Sequence, residues 1–154
     1  MDDKQPALKT VIHLADKTLL KGYVENLSRK WGSLNASEAV PFPEQVELRL
    51  LDGRTVMVPL SQAKAVFFVN AFAGQPEYKE LKFFKDVPEF PGLWVRVRFT
   101  DHEVTEGLVR NSLGMLVDNG LLLKPPDPLS NNRMVYALKK HLLNFEILGL
   151  RSEC

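Results

Sequence analysis

The residue types that could do covalent chemistry in this chain are three histidines and a single cysteine. Nucleophilic catalysis needs a serine or cysteine beside a base that accepts its proton. His13 falls on a predicted strand, His102 in a turn and His141 between two strands, and none of them stands in a recognisable catalytic motif. Cys154, the last residue, is the single cysteine. Because a disulfide needs two cysteines, the sequence predicts no internal disulfide and no thiolate metal cluster. We therefore expect no catalytic residues, and an enzyme is the least favoured class.

Metal and nucleotide sites are also not expected. The run from Asp101 to Glu103 contains ligand types, but adjacent side chains rarely converge on one ion, which favours a polar turn. No glycine-rich phosphate loop is present. Against the signature of the PilZ cyclic-dinucleotide receptors, Asn26 to Gly32 has one residue too many and Asn111 to Gly114 too few, and no Arg-x-x-x-Arg pair occurs. The sequence predicts no metal and no cofactor.

Three side chains of one predicted strand, Leu93 to Phe99, are candidates for partner binding. Strand alternation places Trp94, Arg96 and Arg98 together on the outer face. A tryptophan beside two arginines is typical of a protein interface or of a stacking platform for single-stranded nucleic acid. The alternative is that Trp94 covers the linker and the two arginines face water.

A second candidate surface is the proline-rich loop from Pro125 to Arg133. Its prolines cannot continue a sheet ladder, so the loop is predicted to be an ordered, turn-rich excursion. We expect Asp127, Asn131 and Asn132 to cap backbone N–H groups and Arg133 to help anchor the loop. Its exposed edge is a predicted protein-binding surface.

The elements that position these residues appear twice along the chain. Asp16 and Gly22 match Asp101 and Gly107 at a constant offset of 85, in runs that begin at Ile12 and Val97. Val56 matches Val135 at an offset of 79, as does the strand 65–69 with 144–148. The sequence therefore predicts two related β units.

Each unit should contain five strands. Residues 7–73 are predicted as the first barrel, 74–92 as a linker with a short helix at 77–85, and 93–150 as the second barrel. Gly22 is expected to mark a bulge or sharp bend. Asp52-Gly53 and Asn119-Gly120 are hairpin signals.

The strand 65–69 is apolar on both faces. Val66 and Phe68 are predicted to point into the first barrel, which leaves Ala65, Phe67 and Val69 on the opposite side. Because a strand that is apolar on both faces is covered on both faces, we expect the second barrel or the segment 81–84 to cover Phe67. A homodimer contact through this face is the next alternative.

This order of strand, Asp-containing turn, Gly-bearing strand and further strands resembles the Sm-like and SH3-like small barrels. Residues 64–69 with 76–78, and 125–133, resemble an uncharacterised bacterial two-copy domain family. The resemblance implies an all-β protein of tandem five-stranded barrels, and it carries no activity to transfer. Residues 133–141 resemble the end of the Hfq-type signature, which implies RNA binding near Lys139 and Lys140.

Composition and net charge narrow the classes of protein to which the chain could belong. Hydrophobic residues make up 45% of the chain and charged residues 25%, which indicates a folded protein. The net charge of +1 provides no global field that would recruit nucleic acid or anionic lipid. Residues 1–6 do not resemble a signal peptide, and the apolar stretches are too short to cross a bilayer. We expect a cytoplasmic protein that does not insert into membranes.

Two functions from different classes remain. The favoured one is an interaction or scaffold module that binds another protein through the loops 28–43 and 125–133. The alternative is an Sm-like RNA or single-stranded nucleic-acid binder. Its candidate side chains are Trp31, Trp94, Arg96, Arg98, Lys139 and Lys140. A PilZ-like nucleotide receptor is less favoured.

Overall fold

The computed structural model describes residues 7–24, 43–73, 83, 92–127 and 129–151. In the first half the strands are β1 (Leu8–Leu14), β2 (Leu19–Val24), β3 (Gln45–Leu50), β4 (Thr55–Pro59) and β5 (Ala63–Val69). In the second half they are β6 (Gly92–Phe99), β7 (Val104–Val109), β8 (Gly120–Lys124), β9 (Asn132–Leu138) and β10 (Leu142–Arg151). A helix, α1 (Leu113–Val117), precedes β8, and single 3₁₀ turns precede β5 and β10. The all-β expectation is confirmed.

The ten strands form one antiparallel sheet in the order β10-β6-β7-β8-β9-β5-β1-β2-β3-β4. We expected two separate five-stranded barrels, and the described strands differ from this in two ways. Strand β5 pairs with β9 and so joins the halves, and the two end strands of the sheet, β10 and β4, are not paired with each other. The reason lies in β5, which has apolar side chains on both faces and an edge that β1 leaves open.

The strand pairings of the two halves nevertheless agree position by position. Ile12 lies opposite Val66 in the β1–β5 ladder, and Val97 lies opposite Phe145 in the β6–β10 ladder. Both offsets found in the sequence, 85 and 79, are therefore reproduced in the hydrogen-bonded register. Gly22 and Gly107 also match. Gly22 on β2 lies opposite Thr10, Gly107 on β7 lies opposite Val95, and both pairs are related by the offset of 85.

The two Asp-containing turns are built alike. Asp16 Oδ1 accepts a hydrogen bond from the Thr18 N–H at 2.9 Å, and Asp101 Oδ1 accepts one from the Glu103 N–H at 3.1 Å. The residue after each aspartate, Lys17 or His102, has a positive φ of about 75°. A short side-chain acceptor two residues before a free N–H stabilises such a turn locally, which is why the sequence pattern predicted both.

The hairpin signal at Asp52-Gly53 is confirmed, because β3 and β4 pair directly across it. The signal at Asn119-Gly120 is wrong. The preceding residues form α1 rather than a strand, and β8 pairs with β7 on one side and β9 on the other. The Nζ atom of Lys139 donates to the Met115 carbonyl at 2.7 Å and so holds the end of this helix. The predicted linker helix lies almost entirely outside the described residues.

Two clusters of buried apolar side chains form the interior, one in each half. Strand β9 contributes Met134, Tyr136 and Leu138 to the first cluster and Ala137 to the second. Strand β5 contributes Ala65 to the second cluster, while its alternate side chains belong to the first. Because successive side chains of a strand point to opposite faces, β5 and β9 together belong to both cores.

Candidate functional site

The predicted patch on β6 is organised by a carboxylate that the sequence analysis did not identify. Trp94 Nε1 donates to Glu106 Oε1 at 2.9 Å, and Arg96 Nη2 donates to Glu106 Oε2 at 2.9 Å. The Glu106 side chain is only 3% exposed, whereas that of Arg96 is 41% exposed. Arg96 therefore neutralises a buried charge. Trp94 is partly buried, and Arg98 is exposed as predicted.

The signal that could have found Glu106 is the hairpin register. The turn at Asp101 places residue 106 directly opposite residue 96 in an antiparallel pair, and the structure shows this pairing. Opposite charges facing each other across a ladder stabilise it.

The loop after β8 is held by side-chain hydrogen bonds, as expected. Asp127 is buried, and its Oδ1 accepts from the Leu129 N–H at 2.9 Å. The amide of Asn131 accepts from the Ala71 N–H and donates to the Ala71 carbonyl, each at 2.9 Å. The loop is therefore tied to the chain just after β5, so that it bridges the two halves.

The other members of the loop behave differently. Asn132 is partly buried, and its backbone N–H donates to Ser130 Oγ at 2.9 Å. Arg133 is exposed. Its side chain forms no hydrogen bond or ion pair with another described residue, and its anchoring role stays a prediction.

Two basic candidates for nucleic-acid binding, Lys139 and Lys140, share no hydrogen bond, ion pair or pocket with Trp94 among the described residues. Lys139 is partly buried because its ammonium group bonds α1, while Lys140 is exposed. Trp31 lies outside the described residues.

A cleft of about 380 Å³ lies between the two halves. Its floor is apolar. It comes from β5 and from the next two strands of the sheet, β9 and β8, which contribute Phe67, Val69, Leu123 and Val135. Its walls come from β1–β2 and β6–β7: Val11, His13, Leu19, Lys21, Phe99, Glu103, Thr105 and Glu106. Its lip is formed by Phe72 and by the predicted loop, with Pro125, Pro126, Asn131 and Asn132.

Phe67 is partly buried in this cleft. Its ring lies 4.3 Å from that of His13, and it packs at the margin of the second-half core. Its neighbour Ala65 is fully buried in that same core. The expectation that the second half covers this face of β5 is confirmed for Ala65, whereas Phe67 is covered only in part. The homodimer contact through Phe67 stays a prediction, and the second half already occupies much of that surface.

An ion-pair cluster joins the halves at one end of the cleft. Lys64 Nζ lies 2.7 Å from Asp101 Oδ2, 3.0 Å from Glu103 Oε1, and 4.5 Å from the centre of the Phe99 ring. Burial lowers the pKa of Lys64, but the hydrogen bonds to the two carboxylates outweigh burial, so the pKa is raised overall. The hydrogen bond from Lys64 lowers the pKa of Asp101. The ammonium group thus stays charged and paired.

His13 should make stability depend on pH. Its pKa is lowered from 6.5, first by burial and then by the charge of Lys64, although Glu103 and Asp101 act in the opposite direction. The unfolded chain then binds a proton more readily than the folded chain, so stability falls as pH decreases through 6.5. We expect His13→Gln to lose less of its unfolding free energy than wild type between pH 7.5 and 5.5 in urea titrations. An identical loss in both proteins would contradict this.

The described lining of the cleft contains few groups of the kinds that act as nucleophiles or hold metal ions. Among its described lining residues the one hydroxyl is that of Thr105, which donates to the Glu106 carbonyl. No group of three His, Cys, Asp or Glu side chains within the described ranges is placed to hold a metal ion. The described part of the chain also contains no helix long and apolar enough to span a membrane.

Most of the chain matches the model of a protein family. Residues 7–149 match the family model described as a family of unknown function, DUF6982. The chain belongs to this family. The DUF6982 match runs through both predicted units and the linker. No curated protein and no solved structure matches the chain.

Proposed function

We propose that this chain is a non-enzymatic interaction module that binds an extended, mainly uncharged segment of another protein in the cleft between its halves. The observation that carries the proposal is the composition of the cleft, an apolar floor with a lip of prolines, asparagines and Phe72 supplied mainly by the loop 125–133. Its volume is within the range of about 300–1,000 Å³ found for ligand-binding clefts.

The charges around the cleft favour an uncharged partner segment. Glu106 is neutralised by Arg96, and Glu103 is paired with Lys64. The Nζ atom of Lys21 donates to the Phe72 carbonyl at 3.2 Å, and the lowered pKa of His13 favours its neutral form. Lys21 keeps its charge, and Lys64 is shared by the two carboxylates of Asp101 and Glu103, so the charges around the cleft nearly cancel, whereas nucleic-acid sites present cations in excess.

The nucleic-acid alternative is supported less well. Stacking on Trp94 would need its ring free, yet its indole N–H is bound to Glu106 and the side chain is partly buried. Arg98 and Lys140 remain as exposed cations.

We also propose that each half is one five-stranded unit of an internal duplication, related to the Sm-like and SH3-like barrels, with bounds near 7–73 and 93–150. The matching ladder positions and the matching Asp turns support this. In this proposal the cleft forms where the two copies meet.

The cleft is tested by selecting short random peptides on the immobilised protein and measuring their affinity for variants. Leu19 lies in the cleft and is 50% exposed, so Leu19→Lys should remain folded. We expect it to weaken the selected peptides by about tenfold or more, because an ammonium group would have to be desolvated against them.

The matched control is Leu51→Lys, which changes a similarly exposed leucine in the β3–β4 turn, outside the cleft. It should bind the peptides as wild type does. Peptides that bind both variants equally would overturn the cleft as the site. A single-stranded oligonucleotide that binds instead, and whose binding is lost with Arg98→Ala and Lys140→Ala, would favour the alternative function.

A further inference from the structure

The two end strands of the sheet are the counterparts of the two strands that join the halves. Strand β10 occupies in the second half the place that β5 occupies in the first, and β4 likewise corresponds to β9. Within one chain, β5 and β9 pair with each other, whereas β10 and β4 each end the sheet. Among the described strands, one of the two equivalent edge contacts is therefore made, and the two strands that could form the other are each unpaired on one side.

Apolar side chains on β10 and β4 are more exposed than their counterparts on the paired strands β5 and β9. Phe68 on β5, which pairs with β9, is 1% exposed, and its counterpart Ile147 on β10 is 54% exposed. Tyr136 on β9 is 2% exposed, and its counterpart Met57 on β4 is 55% exposed. Equivalent positions thus differ by the presence or absence of the neighbouring strand, and apolar side chains stand at both uncovered positions.

We propose that β10 of one chain pairs with β4 of a second copy, antiparallel and in the register that β5 and β9 use. That register places Phe67 opposite Val135 and Phe68 opposite Met134. Transferred by the offset of 79, it places Glu146 opposite Val56, Phe145 opposite Met57 and Ile147 opposite Thr55. Exposed backbone edges are ready templates for such pairing.

A proline on β4 and a glutamate on β10 are both compatible with this contact. Pro59 on β4 has no N–H, but its counterpart Leu138 lies beyond the residues that pair with β5, so no ladder bond is lost there. Glu146 lies opposite Arg96 in the β6–β10 ladder and therefore keeps a cation beside it.

The contact is heterologous, since each chain offers one β10 and one β4. A heterologous contact continues from copy to copy and either closes a ring or grows a filament. We therefore expect wild type to form species larger than a dimer, and their mass, measured by light scattering, should rise with concentration.

Two edge variants test the pairing. Ile147→Lys blocks β10 and leaves β4 intact, whereas Met57→Lys blocks β4 and leaves β10 intact. Each variant alone should be monomeric, and an equimolar mixture should form only dimers through the two intact edges. Leu113→Lys, on exposed α1, is the control and should assemble as wild type does. Circular dichroism and a melting curve establish that each variant is folded.

Crosslinking tests the register in a Cys154→Ser background. A chain with Glu146→Cys, mixed with a chain with Val56→Cys, should form a disulfide between the two chains under mild oxidation, because directly opposite residues meet the required spacing. Either of two results would overturn the proposal. One is a wild type that stays monomeric at every concentration; the other is crosslinking of Glu146→Cys chains with each other, which indicates a symmetric β10–β10 contact.

Discussion

Gly22→Ala is expected to lower the unfolding free energy by about 3 kcal/mol, near the upper end for overpacked positions. A Cβ at residue 22 would overlap the Arg49 carbonyl oxygen and lie 2.9 Å from the carbonyl carbon. Both atoms belong to the backbone of β3, which is paired with β2 at this point. A backbone held on both sides by hydrogen bonds cannot move aside at low cost. Urea denaturation monitored by tryptophan fluorescence measures the effect.

Two other glycines are graded controls. At Gly107 an added Cβ would meet Leu123 and the Lys124 carbonyl at 3.1 Å, so the cost should be smaller. At Gly114, in α1, the nearest atom is a flexible Asp118 oxygen at 3.4 Å, and alanine favours a helix. Gly114→Ala should therefore be neutral or slightly stabilising. A Gly22→Ala protein as stable as Gly114→Ala would show that β2 and β3 do not approach this closely.

Gly22 also shows where sequence interpretation reached its limit. We expected a bulge or a sharp bend there. The bulge is wrong, since β1 and β2 pair in unbroken register through this residue, and the bend stays a prediction. The glycine is needed instead because two backbones approach each other. The sequence shows that residue 22 has no side chain, but only the position of β3 shows the reason.

Local features of the fold were predictable. The Asp16 and Asp101 turns and the Asp52-Gly53 hairpin depend on residues a few positions apart, so their patterns were sufficient. The pairing of β5 with β9 was not predictable, because any open edge in the chain could have supplied the partner. The two apolar faces of β5 did indicate that other residues cover both faces. They did not indicate that a strand of the second half, β9, would also form hydrogen bonds with β5.

The candidate site was predicted in part for the same reason. Alternation placed Trp94 and Arg96 on one face of β6, and loop chemistry placed Asp127 and Asn131 in capping roles, all of which depend on local sequence. The carboxylate of Glu106 went unnoticed because an acidic residue on a strand is usually solvated. Its burial depends on tertiary packing, which the local sequence does not show.

Glu106 leads to the second large effect. Arg96→Met is expected to lower the unfolding free energy by about 2–3 kcal/mol at neutral pH. Removing one partner of a buried pair costs about 3–5 kcal/mol because a charge is left uncompensated, and solvent access to the half-exposed Arg96 reduces that figure. Glu106→Gln should cost less, about 1 kcal/mol, since Arg96 can turn to water.

The asymmetry between the two single variants is the sharper test. A pair on the surface would lose little from either change, and a fully buried pair would lose much from both. Here only the carboxylate is deeply buried, so the Arg96→Met loss should exceed the Glu106→Gln loss. The double variant should recover most of the Arg96→Met loss, because it leaves no charge in the interior. Equal losses in the two single variants, or a larger loss with Glu106→Gln, would show that Arg96 does not compensate a buried charge.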